Sequence, residues 1–135
     1  MSDSRNVLVV VAGPTAVGKT GLAVRLAKAW NTAVVSADSR QCYREIPIGT
    51  AAPDVSEREG VAHYFIGDRS LEQPWNASAY AGEALALLPS LFANSPVVVM
   101  AGGTGFYIDA VCLGMDELPD PDPRLRQDLE EWYAA

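Results

Sequence analysis

The chain has 135 residues, of which 49% are hydrophobic and 20% are charged, and its formal net charge is −7. This is an ordinary globular composition, and the length allows one domain with a buried core. The acidic balance disfavours a nucleic-acid-binding face within these residues. No apolar run approaches the roughly 20 residues that span a bilayer, so we expect no membrane association.

The chain contains two cysteines, Cys42 and Cys112. They have neither the spacing of metal ligands nor a secreted disulfide framework around them. The opening sequence MSDSRN also lacks the basic region of a secretion signal. We therefore expect a cytoplasmic protein in which both cysteines are packing residues.

The first predicted elements are a strand and a helix joined by a glycine turn. The β-branched run at residues 6–12 (NVLVVVA) predicts a buried parallel strand. Apolar residues then recur at helical spacing up to Trp30, which predicts a helix over residues 19–30. The turn between them, GPTAVGKT, fits the P-loop pattern G-x-x-x-x-G-K-[ST] of nucleotide- and ATP-binding proteins.

The P-loop pattern predicts a phosphate site. Backbone N–H groups and the helix dipole attract the anion, Lys19 reaches its terminal phosphate, and the Thr20 hydroxyl holds Mg²⁺. The alternative is a glycine-rich turn with no ligand. The predicted phosphate-binding residues are Gly13, Pro14, Thr15, Ala16, Val17, Gly18, Lys19 and Thr20.

The rest of the chain continues to alternate between strands and helices. We predict strands at 33–36, 63–66 and 96–100, and helices at 77–92, 106–113 and 124–133. Pro89 bends or ends the first of these helices, and Asp122 lies near the start of the last. Between the elements we predict a loop with a short helical turn at 39–43, an irregular stretch through Pro53 and a linker at 117–123. This alternation predicts a P-loop NTPase-like α/β fold, a parallel sheet with helices on both faces.

Two further polar loops follow predicted strands at the carboxyl edge of the sheet, where ligands bind in such folds. Asp38 follows the second strand, and it could be a general base, a Mg²⁺ ligand through water, or only a helix cap. Gly102-Gly103-Thr104-Gly105 follows the strand at 96–100, and its glycines indicate either a closely approaching substrate or backbone, or a tight turn. No carboxylate ends that strand, which weakens an ATPase or GTPase interpretation.

Four segments together resemble the tRNA dimethylallyltransferases, also called tRNA isopentenyltransferases. They are GPTAVGKT (13–20), SADSRQCYREIPIGTAAP (36–53), VAHYF (61–65) and AGGTGFYIDAV (101–111). The resemblance implies transfer of a dimethylallyl group from dimethylallyl diphosphate to N6 of an adenosine beside the tRNA anticodon. It also implies that Gly13–Thr20 hold diphosphate rather than ATP, with Mg²⁺ as cofactor, and that the pyrophosphate is expelled.

The same resemblance assigns roles to individual residues. Asp38 would be the catalytic base that takes a proton from the adenine amine, and Thr104 would lie next to the target nucleotide. The implied tRNA contacts are Asp38, Ser39, Arg40, Gln41 and Thr104. The sequence departs from the family's usual residues at Cys42, Ala52, Tyr64 and Phe106, none of which is a proposed catalytic group.

Family members are usually about twice as long as this chain. We therefore expect residues 1–118 to be the N-terminal part of the catalytic core, and residues 119–135 to be a linker and the start of a helix that leads to a missing C-terminal region. That region would supply most of the contacts to the tRNA anticodon stem-loop. The 135 residues alone are expected to be inactive, and the full-length protein is expected to be a monomer.

Two other functions fit the P-loop. A small-molecule or nucleotide kinase would share it and could use Asp38 to orient an acceptor hydroxyl. A non-catalytic nucleotide-binding module would also share it, but such a module needs no carboxylate at the reacting edge.

Overall fold

The computed structural model describes residues 5–14, 16–73, 75–116, 119 and 122–135. Within them strands and helices alternate along most of the chain, as predicted. The elements are β1 (Val7–Ala12), α1 (Lys19–Ala29), β2 (Val34–Ser36), α2 (Val55–Arg58), β3 (His63–Tyr64), α3 (Ala77–Asn94), β4 (Val97–Gly102), α4 (Gly105–Cys112) and α5 (Pro123–Ala134).

The described strands form one parallel sheet in the order β1-β4-β2-β3. Strand β4 is central, and it pairs with all six residues of β1 on one side and with β2 on the other. Its carboxyl end therefore lies between the ends of β1 and β2. This order brings the loops that follow β1, β2 and β4 to the same edge of the sheet.

Helices cover both faces of the sheet, which confirms the predicted α/β class. On one face Ala23 and Ala27 of α1 pack against Val34 and Val99. On the other face α3 and α4 pack on alternate strand residues, which are Val35, Val98 and Met100. Buried parallel strands are covered on both sides in this way, which explains why the strand sequences are apolar runs rather than alternating patterns.

Several element boundaries differ from the predictions. Helix α3 continues past Pro89 to Asn94. Pro89 and Leu85, whose carbonyl loses its helical N–H partner, are both exposed, so solvent can replace the lost hydrogen bond. Strand β3 ends at Tyr64, two residues early, since Phe65 adopts a positive φ of 63° and turns the chain away. Strand β4 extends two residues further than predicted, to Gly102.

One described element was not predicted. Helix α2 has only four residues, and it is held by a capping box in which Asp54 accepts from the Glu57 backbone and Glu57 accepts from the Asp54 backbone. At residues 39–43, where a short helical turn was predicted, the chain forms turns in which the Tyr43 N–H donates to the Arg40 carbonyl.

Helix α5 begins at Pro123, with Asp122 as its N-cap, as predicted. All of its residues are exposed, including Leu129 and Trp132. Most of the predicted linker at 117–123, including the predicted domain boundary at Leu118, lies outside the described residues. None of the described helices is long and apolar enough to cross a membrane.

Candidate functional site

The P-loop lies between β1 and the first turn of α1. Gly18 is the N-cap of this helix and has φ of +95°, a conformation that residues with a Cβ rarely adopt. The first helical hydrogen bond runs from the Leu22 N–H to the Gly18 carbonyl. Among the described residues the earlier N–H groups, on Lys19, Thr20 and Gly21, have no hydrogen-bond partner. Backbone N–H groups at a helix start favour the binding of an anion.

Lys19 is half-buried at the same helix start. Its ammonium group donates to the carbonyl of Pro14, so the side chain lies along its own loop. The side chain of Thr20 is also half-buried and faces the same cavity as Lys19. Thr15, one of the predicted phosphate-binding residues, lies outside the described residues.

Asp38 lies two residues beyond the end of β2 and is half-buried. Its Oδ1 accepts hydrogen bonds from the backbone N–H groups of Arg40 at 2.9 Å and Gln41 at 3.0 Å. Within the part of the chain that the structure describes, Oδ2 has no hydrogen-bond partner. One oxygen therefore caps the following turn, while the other is available to a ligand.

The GGTG loop passes very close to the two other loops. A Cβ on Gly102 would lie 2.1 Å from the Ala37 carbonyl oxygen, so the β4 backbone packs directly against the residue before Asp38. A Cβ on Gly103 would lie 3.3 Å from the Gly13 carbonyl oxygen. Of the two interpretations of these glycines, the close approach of backbone is the correct one for Gly102.

Thr104 connects the GGTG loop to the Asp38 loop. Its backbone N–H donates to the Ala37 carbonyl at 3.2 Å, and its Oγ1 accepts from the Ser39 N–H at 3.0 Å. The hydroxyl itself donates to the Ser39 hydroxyl at 3.4 Å. The two bonds to Ser39 join residues 65 positions apart, and together with the bond to Ala37 they fix the two loops relative to each other.

Asp38 stands between two neighbouring cavities. The first cavity has a volume of about 300 Å³ and is lined by Ala16, Gly18, Lys19, Thr20, Asp38, Gln41, Ala51, Ala101, Gly102 and Gly103. The second cavity has a volume of about 530 Å³ and is lined by Pro14, Asp38, Ser39, Arg40, Gly49, Thr50, Ala51, Gly103 and Thr104. Asp38, Ala51 and Gly103 line both, so they form the wall that the cavities share.

The structure thus brings most of the predicted site residues into one cleft. Gly13 and Val17 line neither cavity; Val17 is 61% exposed, and the Gly13 carbonyl faces Gly103. The sequence analysis assigned no role to Gly49, Thr50 and Ala51, which line the second cavity. The sequence IGTA at residues 48–51 is part of the segment that carries the family resemblance, but it has no periodicity that would predict where this loop folds.

Two buried tyrosines stack on each other, and one of them is bonded to the end of β2 next to the cleft. The Tyr80 hydroxyl donates to the Ser36 carbonyl at 2.8 Å, at the end of β2, and the Tyr80 ring stacks on Tyr107 of α4 at 4.6 Å between ring centroids. Burial raises the pKa of Tyr80 well above its ordinary value and that of Tyr107 to about 12. Both phenols therefore stay protonated near neutral pH.

Cys42 is fully buried beside this cleft, and Cys112 is exposed. Burial, with a smaller contribution from Asp68, raises the pKa of the Cys42 thiol to about 11. A thiol with so high a pKa is a poor nucleophile at neutral pH. Cys42 is thus a packing residue, as predicted, whereas the same prediction was wrong for Cys112, whose side chain is exposed.

Comparison with known proteins places this cleft in a family. Residues 41–135 match the model of the family described as IPP transferase. The chain is 51% identical over 133 residues to a tRNA dimethylallyltransferase of Cytophaga hutchinsonii, covering 98% of this chain and 44% of that protein. It is 44% identical over its full length to tRNA dimethylallyltransferase 2 of Porphyromonas gingivalis, of which it covers 45%.

A solved structure shows the same fold. The full-length tRNA isopentenylpyrophosphate transferase of Bacillus halodurans superposes with a TM-score of 0.81 at 34% sequence identity. The match covers 96% of this chain and 43% of that protein. The chain therefore spans less than half the length of these relatives.

Proposed function

The chain belongs to the IPP transferase family, and on that premise we propose that the full-length protein transfers a dimethylallyl group from dimethylallyl diphosphate to N6 of an adenosine beside the tRNA anticodon. The observation that carries this proposal is the position of Asp38 in the wall between two cavities. A transfer reaction needs a donor site and an acceptor site that meet at the reacting atoms. The first cavity would hold the diphosphate, and the second the adenosine.

Asp38 is the proposed general base. The lone pair of the adenine amine is delocalised into the ring, so the amine attacks poorly unless a base accepts its proton as the new bond forms. Oδ2, which has no hydrogen-bond partner among the described residues, is suited to this role, because Oδ1 is already held by two backbone N–H groups that fix the carboxylate. In the step, the N6–carbon bond forms, the carbon–oxygen bond to diphosphate breaks, and the N6 proton moves to Asp38.

The P-loop would stabilise the leaving group. Negative charge grows on the diphosphate as the carbon–oxygen bond breaks, and donors already aimed at that charge lower the barrier. Among the described residues the N–H groups of Lys19, Thr20 and Gly21 have no hydrogen-bond partner, so they would supply such donors at the start of α1. The Lys19 ammonium, which lines the first cavity, adds a full positive charge.

The cleft also fits Mg²⁺ as a cofactor. This ion usually takes one or two protein oxygens and completes its octahedron with waters and substrate phosphates. Thr20 would hold it through its hydroxyl, and Asp38, which lines the same cavity, could hold it through water. The described residues contain no cluster of three or more His, Cys, Asp or Glu side chains that would form a complete protein metal site. When bound, the ion would neutralise charge on the departing diphosphate.

The second cavity would hold the target nucleotide. Its lining includes Ser39, Arg40 and Thr104, which supply a cation and hydroxyl groups for an RNA backbone or base. These are few contacts for an RNA, since affinity depends on several cations that neutralise phosphates. The chain has a net charge of −7, so we propose that most of the grip on the anticodon stem-loop comes from the further residues that the longer relatives carry.

We further propose that the full-length protein works as a monomer in the cytoplasm. Incubation with dimethylallyl diphosphate, Mg²⁺ and tRNA, followed by mass analysis of the nucleosides, tests the proposed reaction. We expect one adenosine beside the anticodon to gain a C5 unit. Consumption of ATP with phosphorylation of a small acceptor, and no change in the RNA, would instead support the kinase alternative.

A further inference from the structure

Gln41 is bonded both to Asp38 and to the loop that contains Thr50 and Ala51. Its backbone N–H donates to Oδ1 of Asp38 at 3.0 Å. Its side-chain amide donates to the carbonyls of Thr50 at 3.1 Å and Ala51 at 3.2 Å. Both N–H bonds of the carboxamide are therefore used inside the protein, so they are not free to read a ligand.

The segment that Gln41 holds is a compact loop over residues 46–52. The Ala51 N–H donates to the Ile48 carbonyl, and the Ala52 N–H donates to the Pro47 carbonyl at 3.0 Å. Ala51 has φ of +52°, in the left-handed region that residues with a Cβ avoid. The Gln41 amide donates to the carbonyl of the same residue, so it stabilises a backbone conformation that costs an alanine free energy.

We propose that Gln41 is a positioning residue that fixes the 46–52 loop as the outer part of the wall shared by the two cavities. This inference rests on the proposed transfer function. It differs from the role that the family resemblance implies for Gln41, which is direct contact with tRNA. Asp38 and Ala51 both line the two cavities. Gln41 bonds Asp38 through its backbone N–H and Ala51 through its side-chain amide, so the side chain holds the 46–52 loop at a fixed distance from the Asp38 loop and sets the width of the passage between donor and acceptor.

The test uses the full-length protein with Gln41→Glu. This change keeps the size of the side chain but replaces its two donors by a carboxylate oxygen that repels the Thr50 and Ala51 carbonyls. In RNA-free protein we expect the Ala51 and Ala52 amides to exchange their hydrogens about tenfold faster, as the loop opens more often. The kcat for transfer to an anticodon stem-loop RNA should fall together with this loss of protection.

A matched control is Asn94→Asp at the C-terminal end of α3. The Asn94 amide also donates to a backbone carbonyl, that of Ser90, at 3.1 Å. Asn94 precedes β4 and so lies at the opposite end of the sheet from the cleft. The control adds the same charge and removes the same kind of bond, and it should leave both the exchange of the 46–52 loop and the transfer rate unchanged.

A second variant tests the mechanism of positioning. Ala51→Gly removes the steric cost of the positive φ, so in combination with Gln41→Glu it should restore part of the lost kcat. Direct contact with RNA predicts a different outcome, namely a raised KM for RNA, unchanged amide exchange without RNA, and no rescue by Ala51→Gly. That outcome would overturn the inference. Unchanged exchange and kinetics in Gln41→Glu would also overturn it. Absence of transfer in the parent protein would overturn the proposed function, and the amide exchange of the 46–52 loop would then be the test of whether Gln41 holds that loop.

Discussion

The two cavities of the cleft are built in different ways. The first draws its anion-binding groups from one continuous segment, the P-loop and the first turn of α1. The second is assembled from three connections, which are the P-loop at Pro14, both ends of the segment between β2 and α2, and the loop after β4. Its shape depends on single hydrogen bonds such as the one from the Ser39 N–H to Thr104 Oγ1.

Because of this difference, the two cavities should respond differently to amino-acid substitution. A site made by one strand, one turn and one helix depends mainly on its own backbone, so the loss of one side chain removes one contact. A site made by distant loops depends on the bonds between those loops. We therefore expect substitutions of P-loop side chains to change donor binding alone, and substitutions in the contacts between loops to change the acceptor reaction.

The largest effect is expected at the shared wall. Asp38→Asn keeps an oxygen that can accept from the Arg40 and Gln41 N–H groups, but it cannot take the amine proton. The rate of the chemical step should fall by about 10²–10⁴-fold in single-turnover assays of the full-length protein. Thermal unfolding serves as the control. An unchanged rate combined with lost thermal stability would establish Asp38 as a cap only.

Gly102→Ala should be the most damaging change to the loop contacts. The added Cβ would lie 2.1 Å from the Ala37 carbonyl oxygen, and because that atom is backbone it cannot swing aside. We expect a loss of about 3 kcal/mol in the free energy of unfolding, measured by denaturant titration. Gly105→Ala is the matched control, since nothing lies within 4 Å of a Cβ there. Equal stability of the two variants would refute the close approach of β4 to Ala37.

Lys19→Ala tests the first cavity alone. It removes a charge-assisted contact of about 1.5–3 kcal/mol to a bound phosphate, so affinity for inorganic pyrophosphate should fall by at least tenfold in calorimetric titrations. Arg25→Ala removes the same charge from an exposed position of α1 and should leave the affinity unchanged. If the Lys19 variant binds pyrophosphate as tightly as the parent, the P-loop is not the phosphate site.

Thr104→Val should have the smallest effect of this series, and it should fall on the acceptor side. The change keeps the shape of the side chain but removes the acceptor of the Ser39 N–H, a loss of about 0.5–1.5 kcal/mol. We expect kcat/KM for RNA to fall several-fold while pyrophosphate affinity is retained. Thr104→Ser keeps the hydroxyl and should behave like the parent. Equal losses in pyrophosphate affinity and RNA kinetics would contradict the separation of the two cavities.

Local signals made much of the fold predictable. The β-branched run of β1, the glycine turn and the helical spacing of α1 lie next to each other in sequence, and each is a strong signal of its own element. The Asp122 cap and the start of α5 were predictable for the same reason. The capping box of Asp54 and Glu57 was also present in the sequence, but it encloses a helix too short to show any periodicity.

The contacts that complete the cleft could not be predicted in the same way. The sequence indicated that the glycines after β4 allow a close approach, but only the strand order shows that Ala37 is the partner. The Thr104 bond to Ser39 and the Tyr80 bond to Ser36 join residues 65 and 44 positions apart, and no local pattern specifies such pairs. For Asp38 the sequence left the choice between cap and functional group open. The structure shows one oxygen used as a cap, and the other has no partner within the described part of the chain.

The central claim is that the two cavities act together, so that diphosphate leaves only when an acceptor amine is in place. The most direct test measures pyrophosphate release by the full-length protein from dimethylallyl diphosphate and Mg²⁺, with and without an anticodon stem-loop RNA. Our account predicts one pyrophosphate for each C5 unit found on the RNA, and only background release without RNA. Release that proceeds equally without RNA, or that leaves the mass of the RNA unchanged, would contradict it.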